Sequence, residues 1–320
     1  MTDGRAGGTP VRTVFLGSGR FGQESLRRLA QRDDVRLASV VTAPARPVGR
    51  GLRPVGSVIG EVAHDLGVAD ILAPERLRAP ESIATILALA PELVVLADYG
   101  QIVPRPLLEV RHGALNLHPS LLPRHRGATP IAAAILAGDS ETGVTLIRMD
   151  EGLDTGPIVA QRPVPLTGTE TAAELERALE TIAGALLDEH LGPWLRGEIE
   201  ARPQPAEGAT LTRTLRREDG RLDPRRPARE LERQVRAYQP WPGSFVDTDL
   251  GRLAVWASSV GAATDRPPGS FGPRGLSTSD SELLLHEVQP AGGSRMAWEA
   301  FLRGRPLMVG AAALASDRDA

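Results

Sequence analysis

No cysteine occurs in the 320 residues. That excludes disulfides, thiolate metal sites and a cysteine nucleophile, and it fits a reducing compartment. Lysine is missing too: all 37 basic residues are arginines. A Schiff-base lysine and a phosphate-loop lysine are therefore excluded, and arginine must serve wherever a cation is needed. Aromatic residues are scarce, making up only 3% of the chain, although its apolar fraction is enough for ordinary cores. No apolar run is long enough to span a bilayer. The stretch Met1 to Gly8 lacks the apolar segment of a secretory signal. A cytoplasmic chain with no membrane attachment is expected. The net charge is only −3, so no global field draws a polyanion, and a nucleic acid would have to meet local basic patches.

What is present is rich in turn formers, with 34 glycines and 27 prolines around a 41% apolar fraction. The length suits two domains better than one. The expected division is a disordered tail over 1–10, a first domain over 11–200 and a linker over 201–210. A second domain over 211–310 and a tail over 311–320 follow.

In the first domain, apolar strands alternate with helical segments. Val11 to Leu16 reads as a strand, and Gln23 to Gln31 as the helix after it. Strands are also expected over Arg36–Val41, near Asp70–Leu72 and over Glu92–Ala97, with helices between them. This alternation predicts an α/β fold with a mostly parallel, Rossmann-like sheet covered by helices on both faces. Gly17-Ser-Gly-Arg-Phe-Gly22 spells a dinucleotide fingerprint, but no acid follows at the end of the second strand to hold a ribose. It reads as a tight strand-to-helix turn, with a nicotinamide-dependent oxidoreductase as the rival.

The chemistry gathers between Gly113 and Gly127. Side chains alternate along a strand, so Asn116 and His118 share one face, and Pro119 ends the ladder. An amide and an imidazole thus stand together at a strand's carboxyl end, where open α/β sheets bind ligands. Downstream, Asp150 to Pro157 is an acidic, glycine-bracketed loop between two strands, and it offers Asp154. Asn, His and Asp form a coherent set for acyl transfer to an amine. The amide can donate to an oxyanion, the imidazole can relay a proton, and the carboxylate can orient or charge the ring. No metal-ligand spacing is present, and no metal is expected.

Two further stretches are basic. Ala43 to Pro54 carries Arg46, Arg50 and Arg53 without an acid. From Arg202 to Arg236 there are ten arginines against six acids. Each is open to two readings, a solvated surface or a polyanion contact. Beyond Ala201–Gly208, short strands with turn signals are expected at 244–246, 252–258, 269–271 and 282–288, the pattern of a small barrel.

Asn116-Leu-His118-Pro-Ser-Leu-Leu-Pro, Arg126-Gly-Ala-Thr-Pro-Ile131, Glu141-Thr-Gly-Val-Thr145 and Gly152-Leu-Asp154-Thr-Gly156 together resemble the folate-dependent formyltransferases. The resemblance implies that Asn116, His118 and Asp154 are catalytic. It also implies that Ser120, Leu121, Leu122 and Pro123 line a site for 10-formyltetrahydrofolate as formyl donor. Pro44–Gly51, Arg236–Gly243 and Val288–Gly293 resemble the branch of the family that acts on initiator methionyl-tRNA. That implies tRNA contacts from Arg46, Arg50 and Arg53 and an OB-like, tRNA-binding β-barrel domain at the C-terminus; nothing in the sequence demands more than a monomer. Two positions depart from the pattern: Ala45 stands where an Asp is usual, and Asp98 where a small apolar residue is usual. A sugar-nucleotide N-formyltransferase is the alternative within the family. A catalytically silent tRNA- or folate-binding protein is the alternative outside it.

Overall fold

Apolar runs in the first part of the chain become strands buried on both faces. The computed structural model describes residues 9–48 and 53–314. Residues 1–8 and 315–320 of the expected tails lie outside it, as does Arg50. The described residues fall into two compact units. One comprises the chain to Pro130, Glu141–Pro165 and Glu176–Thr212; the other comprises Ile131–Ser140, Leu166–Leu175 and the chain from Arg213.

The first unit is built on a seven-stranded sheet. Its strands are β1 (Val11–Gly17), β2 (Val35–Val41), β5 (Ile71–Leu72), β6 (Leu93–Ala97), β7 (Ala114–His118), β9 (Glu141–Arg148) and β10 (Ile158–Pro165). The spatial order is β5-β2-β1-β6-β7-β9-β10. Pairings from β5 to β7 are parallel, and β9 and β10 are antiparallel. All five residues of β6 are buried, as a continuous apolar run requires in a sheet covered on both sides. Helices α1 (Gln23–Ala30), α2 (Val58–Asp65), α3 (Pro80–Ala88) and the short α4 (Arg105–Leu108) connect these strands. Ser57 caps α2 by accepting the Gly60 N–H at 2.9 Å, and Pro80 opens α3 where a missing N–H costs nothing.

The chain runs outward from β1 through β2 to β5, then returns to β6 on the other side of β1. That reversal places a ligand crevice at the carboxyl ends of the central strands. The glycine-rich turn belongs to this packing. A Cβ at Gly17 would lie 2.8 Å from the Ala97 carbonyl, and one at Gly19 only 1.6 Å from Asp98 Oδ2. The glycines let the turn lie against the end of β6.

Described residues of the basic stretch after β2 form a two-stranded ribbon, β3 (Arg46–Val48) and β4 (Arg53–Val55), with Pro47 opposite Pro54. Proline is tolerated there because each strand keeps a free edge. Another two-residue pair, β8 (Arg126–Gly127) and β11 (Leu211–Thr212), joins the loop after β7 to the segment after Gly208. No helix among the described residues is long and apolar enough to cross a membrane.

The second unit holds an antiparallel half-barrel. Its strands are β12 (Ser244–Thr248), β13 (Gly251–Val260), β14 (Gly275–Ser277), β15 (Glu282–Pro290) and β16 (Met296–Ala297). The strand expected at 269–271 is reduced to single bridges at Ser270 and Phe271, and the ladder forms at 275–277 instead. Prolines at 267, 268 and 273 break the earlier stretch. Helix α5 (Pro130–Ala137) precedes β9, and α6 (Ala172–Leu195) follows β10. Helices α7 (Ala228–Ala237) and α8 (Trp298–Gly304) complete the set.

The aromatic side chains the chain does have are concentrated here. Trp298, 1% exposed, stacks on Phe301 with centroids 5.5 Å apart, lies 6.1 Å from Phe271 and donates to the Pro273 carbonyl at 2.9 Å. Trp298→Ala is expected to destabilise this unit by about 3–5 kcal/mol through a cavity and an orphaned carbonyl. Chemical denaturation checks this, and a shift under about 1 kcal/mol would contradict the packing described.

Candidate active site

The carboxyl end of β7 positions the first two polar groups. β7 lies between β6 and β9, with Asn116 paired to Leu96 on one side and Ile147 on the other. Leu115 and Leu117 are buried, which fixes the register and sends Asn116 and His118 to the opposite face. Asp154 comes from the loop between β9 and β10. Asp150 shapes that loop by accepting from the Gly152 N–H at 3.0 Å and the Thr155 hydroxyl at 2.7 Å. Asp154 itself sits in the left-handed region, at φ +52°. An aspartate tolerates this better than most residues, and such backbone is characteristic of functional sites.

The three groups meet. Asn116 Nδ2 donates to Asp154 Oδ1 at 3.3 Å, and His118 Nδ1 lies 3.6 Å from Asp154 Oδ2. That same oxygen accepts the Gly127 backbone N–H at 2.8 Å. The other ring nitrogen of His118, Nε2, faces the His125 carbonyl at 2.9 Å. A carbonyl only accepts, so Nε2 carries the hydrogen and Nδ1 is left to gain or lose a proton. His118 is almost fully buried. Removal from water pushes its pKa below the ordinary imidazole value, and the Asp154 charge opposes that fall without cancelling it.

The loop between β7 and β8 holds the four residues assigned by resemblance to the donor. Ser120 and Leu122 are buried, while Leu121 and Pro123 are half-buried. Ser120 Oγ donates to the Arg124 carbonyl at 2.7 Å. Thr145 on β9 donates to the Ser120 carbonyl at 2.6 Å and accepts the Leu122 N–H at 3.1 Å. Gln161 on β10 donates to the Leu122 carbonyl and to Thr145 Oγ1, both at 2.9 Å. This network spends the inward polar groups of Ser120–Pro123, and the next residue, Arg124, is exposed. Reading the sequence alone missed Thr145 and Gln161 as supports, although strand alternation aims both at this loop.

The arginine positions are placed unevenly. Arg46 is exposed at the start of β3, Arg53 begins β4, and Arg50 lies outside the described residues. In the later basic stretch, Arg213 pairs with Asp219, Arg221 with Asp247, Arg225 with Asp223, Arg226 with Glu230 and Arg236 with Glu232. Four of these five partners are acids of the stretch itself, so only the Arg221–Asp247 pair offsets its excess positive charge. Asp98 is in the left-handed region at φ +54°, with its carboxylate lying over Gly19. Among the described residues, no group of three or more His, Asp or Glu side chains could hold a metal ion.

Two family models match the chain: formyl transferase over residues 11–191, and formyl transferase, C-terminal domain, over residues 214–306. The chain is 41% identical over 309 residues to the methionyl-tRNA formyltransferase of Roseiflexus sp. (strain RS-1), covering 94% of each. It is 42% identical over 311 residues to that of Halorhodospira halophila, covering 94% of this chain and 98% of the relative. Among solved structures, it is similar in fold to a sugar 3N-formyl transferase, WlaRD. There the TM-score is 0.62 at 16% identity, over 87% of this chain and 97% of the other.

Proposed function

The chain belongs to the formyl transferase family, and on that premise we infer that it transfers a formyl group from 10-formyltetrahydrofolate to the amino group of methionine on initiator tRNA. The observation that carries the chemistry is the convergence of Asn116, His118 and Asp154 at the end of β7. Similarity along nearly the whole chain to methionyl-tRNA formyltransferases supports the choice of acceptor.

Asn116 is assigned to the oxyanion. Its amide has two N–H donors and spends one on Asp154, so the second is available to the formyl oxygen as negative charge builds there. His118 is assigned to the proton. Its buried ring is neutral near pH 7, so Nδ1 can take the proton released when the amine nitrogen bonds to the formyl carbon. Asp154 is assigned to the imidazolium that results. Return of that proton to the donor's nitrogen balances the reaction as the old carbon–nitrogen bond breaks. No covalent bond to the protein is required.

The donor is placed against the loop Ser120–Pro123. Ser120 and Leu122 hold the loop from within, and Leu121 and Pro123 give its accessible apolar surface. The stretch Ala43–Pro54 is assigned to the tRNA acceptor end, with Arg46, Arg50 and Arg53 as its phosphate contacts. The barrel-like second unit is assigned to the body of the tRNA. The proposed domains are 11–200 for catalysis and 211–310 for tRNA, in a cytoplasmic monomer.

The test is acceptor choice: formyl transfer from 10-formyltetrahydrofolate to charged initiator tRNA, compared with amino-sugar nucleotides. Transfer to the tRNA alone is expected, and preference for the sugar nucleotide would replace this reading. Arg46→Ala is expected to raise the apparent KM for tRNA about 3- to 10-fold and to reduce the salt slope of binding by about one counterion. Filter binding at several salt concentrations checks this, and an unchanged slope would remove Arg46 from the interface.

A further inference from the structure

The segment between the two expected domains is bonded along the candidate site. Arg202 pairs with Ile158 of β10 through two backbone hydrogen bonds, at 2.7 and 2.8 Å. Thr210 accepts the Arg126 N–H on its carbonyl at 2.9 Å and the His125 N–H on its hydroxyl at 2.8 Å. Thr212 Oγ1 donates to the Arg126 carbonyl and accepts the Thr129 N–H, both at 3.0 Å. Between these anchors lies Gln204, half-buried between two prolines.

Gln204 uses both ends of its amide. Its nitrogen donates to the carbonyls of Asp154 and Gly156, each at 2.8 Å. Its oxygen accepts from Arg126 Nε at 3.0 Å and Nη2 at 2.7 Å. Only one amide orientation satisfies two acceptors on one side and a guanidinium on the other. The residue after Arg126 is Gly127, whose N–H holds the Asp154 carboxylate. Asp154 is therefore gripped twice, by its carboxylate through Gly127 and by its backbone carbonyl through Gln204 and Arg126. A left-handed aspartate needs such restraint to keep one conformation.

We propose that Gln204 is a positioning residue that, with Arg126, locks the Asp154 loop so that the carboxylate faces the His118 ring. The proposal rests on the role given to Asp154 above. The titratable groups facing His118 are Asp154, which favours the charged ring, and His125, which opposes it. Release of the Asp154 loop removes the favourable charge and leaves the burial, so the His118 ring should titrate at lower pH.

Gln204→Ala removes all four contacts. Gln204→Glu keeps the partner for Arg126, keeps the shape and sets a carboxylate oxygen against two carbonyls. Both variants are expected to lower kcat about 10-fold or more, with KM for the formyl donor within about twofold of wild type. In the unliganded full-length protein, nitrogen NMR of the His118 ring should show its titration displaced to lower pH in Gln204→Ala, which adds no charge of its own. An unchanged ring titration in Gln204→Ala, with or without a loss of rate, would overturn the proposal. So would wild-type behaviour of Gln204→Glu. Absence of formyl transfer by the wild-type protein would instead remove the functional reading, while the ring titration would still decide whether Gln204 positions Asp154.

Discussion

His118→Ala is expected to lower kcat for formyl transfer by about 100- to 10,000-fold, with donor binding retained. The ring contributes in two ways. Its Nδ1 is the free proton site, because Nε2–H is committed to the His125 carbonyl at 2.9 Å. Its burial keeps it neutral at pH 7, opposed by the Asp154 charge. The sign of the pH effect follows. A group that must be neutral loses function as pH falls through its pKa, and this pKa lies below the ordinary imidazole value. The histidine's contribution to turnover should therefore persist to below the ordinary imidazole value and then be lost, so the ratio of wild-type to His118→Ala rates should fall at low pH. Alanine at this buried position leaves a small cavity, so a parallel measurement of donor affinity separates lost chemistry from lost shape. A variant with wild-type kcat would remove the imidazole from the mechanism.

Gly127→Ala is expected to cost about 100-fold in kcat and about 1–3 kcal/mol in stability, from one added methyl group. Gly127 has φ +101°, a conformation that side chains rarely adopt, and a Cβ there would lie 2.3 Å from the Thr212 carbonyl. That neighbour is backbone in the β8–β11 pair and cannot simply rotate away. The strand pair must part or Gly127 must turn, and either motion carries its N–H away from Asp154 Oδ2, now 2.8 Å distant. Steady-state kinetics and thermal unfolding of the same preparation check both effects. Full activity with unaltered stability would mean that the β8–β11 pair does not restrain the site.

Much of the first unit was legible because buried parallel strands are written as continuous apolar runs, as in Leu93–Ala97. Asn116 and His118 were legible for a related reason: leucines at 115 and 117 fix which face is buried, and Pro119 marks the end. Asp154 needed more than periodicity. Its loop spelled turn chemistry, and Asp154 was chosen as the carboxylate that an amide and an imidazole need, a choice the wider resemblance repeats. Gln204 was hidden. Its partners lie 50, 48 and 78 residues away, and Pro-Gln-Pro composition reads as a spacer. The strands β8 and β11 have two residues each, too few to show any period. The β3–β4 ribbon was masked by prolines that usually argue against strands, tolerated here because both strands are edges. The glycine turn shows the opposite problem: the spelling was clear, and close approach to Ala97 and Asp98 accounts for it without a dinucleotide.

The most direct measurement is single-turnover transfer of labelled formyl from 10-formyltetrahydrofolate to methionyl initiator tRNA, with the wild-type and His118→Ala proteins side by side. Labelled N-formylmethionyl-tRNA should form in the wild-type reaction, with a rate constant at least about 100-fold above that of the variant. No labelled product with the wild type, or equal rate constants for the two proteins, would contradict the account.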